Sequence, residues 1–176
     1  MVALEKSVDV THHAFIETDS SHQWPGISDM HDAILFTIMN MVKQNKLQMQ
    51  TSVVEDYYHN WLKKINSSVN KASPGKRFAQ LQFGIMCFEG LTDVTNLKSK
   101  LKEIENSDNL RKWRIRSQNM LYQEKEMQKM LRDAFSNQNL AWWQKEITDL
   151  KIAASNSQDK MMAAMSNRLL GFIGIA

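Results

Sequence analysis

Four of the five histidines fall in the first quarter of the chain, His12, His13, His22 and His31, and Asp29 and Asp32 stand beside the last of them. Neutral imidazole and carboxylate are ligands for zinc and similar metals, and a closed structural site needs four such groups converging in a tetrahedral shell. The spacing does not deliver that shell. His12 and His13 are adjacent, so they diverge on a helix, and no paired histidines of the HExxH kind occur anywhere in the chain. Asp29 and Asp32 have a second use as acids at the positive end of a helix dipole. No metal ligand is assigned, and a metal-binding or enzymatic helical protein using the N-terminal histidines stands as the alternative reading.

Nucleophilic chemistry finds equally little to work with. Cys87 lies in "GIMCFEG" among apolar neighbours, where burial raises a thiol pKa and leaves it inert. There is no GxSxG elbow, no phosphate-cradling glycine loop and no GxGxxG. Glu103, Glu105, Glu124, Glu126 and Glu146 are scattered among lysines at spacings that suit solvated ion pairs. The sequence thus assigns no catalytic residue and no cofactor, and leans away from an enzyme. A nucleic-acid surface is the remaining chemical option. "RKWRIR", Arg111 to Arg116, sets basic residues around Trp113 in a pattern that could track phosphates, with Lys98, Lys100 and Lys102 upstream. A core role for the tryptophan weighs against it.

The elements that would carry such residues are helices. Six Gly and two Pro in 176 residues leave few turn-formers, and twelve Met against three Tyr favours helix over strand. A chain of this length buries roughly 70% of its unfolded surface, enough for a core without a metal or a disulfide, and the single cysteine cannot form an internal bridge. The net charge of +3 is too mild to define a partner. "MVALEKSVDV" has no apolar h-region, and the terminal run "LLGFIGIA" is far short of the ~20 residues that span a bilayer. The expected compartment is the cytoplasm by default, or the periplasm or exterior if a leader has been removed.

Along the chain, residues 1–27 read as a polar, irregular arm with a turn at Pro25-Gly26. A helix capped by Ser28 follows, with Ile34, Ile38, Met41 and Val42 on its inner face. A second starts near Ser52 and places Val54, Tyr58, Trp61, Leu62, Ile65 and Val69 together, so that 28–70 forms an antiparallel hairpin. "NSSVNKASPGK", Asn66 to Lys76, is the strongest break and contains a glycosylation sequon in an expected loop. Beyond it six short helical patterns are predicted near 76–90, 92–105, 109–121, 124–136, 139–154 and 158–175. Val94, Leu97, Leu101 and Ile104 form one stripe; Leu110, Trp113 and Leu121 form the next; Met127, Leu131, Ala134 and Phe135 form another.

"NLRKW", Asn109 to Trp113, recurs as "NLAWW", Asn139 to Trp143, thirty residues later, each opening a helix after a polar turn. That period suits stacked two-helix units and makes Trp113 and Trp143 equivalent core positions, each worth roughly 3–5 kcal/mol on truncation to Ala. Trp142, about 100° around the helix, is free to cover a neighbouring hairpin or to face solvent. In "FAQLQFGIMCFEG", Gly84 provides a small residue for close helix packing, Phe83 fills the large apolar position before it, and Gly90 sits near the turn. On these residues segment 76–176 resembles the tetratricopeptide-like helical-hairpin repeats, with Asn96 and Leu97 where that family sets a second small residue. The resemblance implies an all-α fold of about eight helices: the hairpin 28–70 and three hairpins over 76–176 stacked as one domain in a superhelix. It further implies a non-catalytic scaffold or adaptor for a protein or peptide. Phe172, Ile173 and Ile175 make the C-terminal helix a candidate homodimer surface.

Overall fold

The computed structural model describes residues 26–68 and 72–174. Every regular element among them is an α-helix: α1 (Ile27–Lys43), α2 (Thr51–Ser68), α3 (Pro74–Phe88), α4 (Thr95–Glu105), α5 (Asp108–Asn137), α6 (Leu140–Ala154) and α7 (Lys160–Phe172). The only strand-like pairing among them is an isolated bridge between Glu89 and Thr92. The described chain falls into two compact units, one running to Leu110 and the other from Arg111 onward.

The first unit is organised around α3, on which α1, α2 and α4 each pack. Ser73 caps α3 by accepting from the Lys76 amide, and Pro74 occupies the first turn, where its missing N–H is not needed. Gly84 lies against the Trp61 indole of α2, and a β-carbon at that position would collide with the ring. Phe88, wholly buried, receives Tyr58 edge-on at 5.2 Å and Trp61 at 6.0 Å between ring centroids. Val54, Tyr58, Trp61 and Ile65 are buried as their spacing predicts; Leu62 is partly so, and Val69 lies outside the described residues. Val94 and Leu97 are buried too, with Leu101 and Ile104 packed beside them.

Helix α1 differs from expectation in two respects. It begins at Ile27 with Gly26 rather than Ser28 at its cap, the Gly26 carbonyl accepting from the Asp29 and Met30 amides. Its buried residues are Leu35 and Met39, whereas Ile34 and Met41 are exposed. The pattern misleads because the apolar residues of α1 span about half its circumference, so spacing alone does not say which part of that arc meets α3. The helix ends where Asn45 takes up a left-handed conformation (φ 56°) and the Lys46 and Leu47 amides turn back to the Met41 carbonyl. Asp32 of α1 is reached by Lys64 of α2 at 2.7 Å.

The predicted helices 109–121 and 124–136 are one continuous helix, α5. "LYQEK" contains no Gly, Pro or Asn, and nothing in it stops helix propagation. The inward residues of α5 recur at alternating intervals of three and four: Leu110, Trp113, Ser117, Met120, Glu124, Met127, Leu131 and Ala134, all buried or half-buried. Leu121 (59% exposed) and Phe135 (63%) sit outside that seam, contrary to their predicted inner positions. The "NLxxW" equivalence fails with them, since Leu110 is 1% exposed and Leu140 73%.

The second unit joins the rest of α5 to α6 and α7. Arg116 of α5 pairs with Asp159, the N-cap of α7, and Glu124 pairs with Arg168 farther along α7. These pairs are 43 and 44 residues apart in sequence, so α5 and α7 run parallel, and α6 packs on α7. Leu131, Leu150, Met165, Leu169 and Leu170 form the centre. The apolar C-terminal helix therefore turns much of its hydrophobic surface inward.

Candidate protein-docking groove

Asn139 sets the geometry at the start of α6. Its side-chain oxygen accepts from the Trp142 amide at 3.0 Å, fixing the first turn after the short α5–α6 link. Trp142 and Trp143 then stand perpendicular, ring centroids 5.1 Å apart, and Trp143 leans on Phe135 at 4.8 Å. Both indoles are half-buried. Both pack on the core of the second unit, and Trp142 also lines an open groove of about 380 Å³.

The other wall of the groove is three turns of α5. Met130 and Ala134 give it apolar atoms beside the indole, Glu126, Lys129 and Asp133 give it charge, and Asn137 and Gln138 close the end near the link. Their spacing of three, four, seven and eight residues places them on one flank of the helix, next to the buried seam. The Asn137 side chain is held by donating to the Asp133 carbonyl at 3.1 Å. An indole wall and a thioether supply desolvated contact area, and the carboxylates, ammonium and amides orient polar groups.

The residues singled out in the sequence are spread elsewhere. His12, His13 and His22 lie outside the described residues. His31 is exposed, 3.6 Å from Asp32, whose carboxylate Lys64 engages. Among the described residues no three His, Cys, Asp or Glu side chains converge as metal ligands. Cys87 is buried under α1, and desolvation pushes its thiol up to about 12, with Lys43 opposing and Asp32 reinforcing the shift. In the basic stretch Arg116 is committed to Asp159 at 2.6 Å and Trp113 is half-buried on the α5 seam. Asn66 and Ser67 of the sequon lie in the last turn of α2 rather than in a loop, Ser67 donating to the Lys64 carbonyl.

Sequence reasoning missed the groove itself. Its signal was Trp142, the one indole of the pair without an assigned place, together with acid, base and acid at 126, 129 and 133. No helix among the described residues is long and apolar enough to cross a membrane. The chain matches no protein-family model, no curated protein and no solved structure. The class that fold and groove define is thus an all-α protein with a surface cleft walled by tryptophan.

Proposed function

We propose that this protein is a non-catalytic helical scaffold or adaptor that holds a protein or peptide partner. One observation carries the reading: Trp142, half-buried and packed on the core of the second unit, also lines a groove beside Met130 and a charged rim. Interfaces concentrate their energy in such residues, surrounded by polar groups that set orientation. The partner suited to it is an extended or helical segment that lays an apolar side chain against the indole and hydrogen-bonds to the rim.

Selection from a random peptide library against the intact chain tests this. Selected peptides should lose at least about tenfold in affinity toward Trp142→Ala, the range of an anchor residue, while the variant keeps its helical circular dichroism. Peptides that bind wild type and Trp142→Ala equally would remove the groove from the reading.

A further inference from the structure

Half of the acids in the second unit are answered by a base, and two of the three that are not line the groove. From Arg111 onward the chain carries six acids, Glu124, Glu126, Asp133, Glu146, Asp149 and Asp159, among eleven bases. Arg168 engages Glu124, Lys145 engages Asp149 and Arg116 engages Asp159. Of the three acids that pair with no described residue, Glu126 and Asp133 both face the groove. Lys129 stands between them, three residues after one and four before the other, a spacing at which ion pairs form on a helix, and it pairs with neither. The groove thus presents two carboxylates against one ammonium, on a unit whose bases outnumber its acids.

The positions of these groups say what they suit. Helix α5 ends at Asn137 and Trp142 stands in the first turn of α6, which sets the indole beside the last turns of α5, where Asp133 and Asn137 lie. Glu126 is about 10 Å farther back along the helix. Asn137 donates from its side-chain nitrogen to the Asp133 carbonyl at 3.1 Å, which leaves its side-chain oxygen to accept beside the Asp133 carboxylate. An indole face attracts a cation, a carboxylate and an amide oxygen accept from one, and the Met130 thioether covers an aliphatic stem. A guanidinium answers all of these together, because it is planar, stacks on aromatic rings and donates in a fork, whereas an ammonium is a compact point charge. We infer that the segment held in the groove is basic, and that it carries an arginine next to its apolar residue, the stem along Met130, the guanidinium against Trp142 and its N–H groups donating to Asp133. This rests on the docking reading above and adds to it the chemistry of the partner. The same two carboxylates repel an acidic segment.

Peptides selected from a random library against the intact chain, and kept where Trp142→Ala weakens their binding, supply the probe. They should carry arginine more often than the library does. Asp133→Asn should weaken them at least about fivefold, and Lys129→Ala should tighten them about twofold by removing a like charge. Raising sodium chloride from about 50 to about 500 mM should weaken them several-fold. Asp133→Arg should reject them and take instead the same peptides with glutamate in place of the arginine, a reversal that loss of folding cannot produce. Trp142-dependent peptides that lack a base, or that bind Asp133→Asn as tightly as wild type, overturn this inference and leave the docking reading standing. A library that yields no Trp142-dependent peptide overturns both.

Discussion

Gly84 earns its place through what it lacks. The Trp61 indole occupies the space a side chain would need, so Gly84→Ala must push the ring off Phe88 or part α2 from α3. Over-packing of this kind costs about 1–3 kcal/mol, and urea unfolding of Gly84→Ala should show a loss in that range. Cys87 makes a second prediction at this scale. Burial raises its thiol from an ordinary value near 9 to about 12. Above pH 9 the unfolded chain releases that proton while the folded chain keeps it, so the contribution is full below pH 9 and is lost as pH rises toward 12. The limiting slope is about 1.4 kcal/mol per pH unit. Lys43, whose ammonium burial holds below its usual value, titrates with the opposite sign, so the Cys87 term is read as the difference between wild type and Cys87→Ala in urea melts from pH 8 to 11. The two residues were unequally legible. Burial of Cys87 followed from its apolar neighbours in the sequence, whereas the collision at Gly84 depends on a ring 23 positions away.

Helix α5 is where sequence reading and structure part most clearly. The expected break near 122 rested on reading two short helical patterns divided by a brief polar turn, and local propensity in "LYQEK" carries the helix straight through it. The three-four rhythm of the α5 seam was present in the sequence all along, but Glu124 interrupts it with a charge and hides its continuity. That charge is answered by Arg168, whose Nε and Nη2 grip the carboxylate at 2.9 and 2.6 Å. Glu124 is 7% exposed and the Arg168 side chain 47%. Arg168→Met should therefore cost about 2–3 kcal/mol, between the value of an exposed pair and that of a fully buried one. Pairing it with Glu124→Met should recover most of the loss by filling the seam with apolar volume. Chemical denaturation of both singles and the double, as a cycle, measures the coupling. Losses that simply add in the double variant would show that the pair does not act as one unit.

The all-α class and most helix positions could be read from the scarcity of Gly and Pro and from the apolar spacing of α2 and α4. The division after Leu110 could not, because it falls inside a helix and leaves no mark of turn residues. The two clusters of buried side chains share no member. Weakening one by Gly84→Ala should accordingly speed amide hydrogen exchange in α2 and α3 while α6 and α7 keep their protection, as mass-spectrometric exchange can resolve. Uniform acceleration throughout would mean that the chain opens as one body.

The crossed indoles at the start of α6 have an optical consequence. Two identical chromophores at right angles and about one ring-width apart mix their excited states, so Trp142 and Trp143 should imprint a bisignate couplet on the far-ultraviolet dichroism. That band belongs to the wall of the groove. A guest that tilts either ring would announce itself in the spectrum without any label.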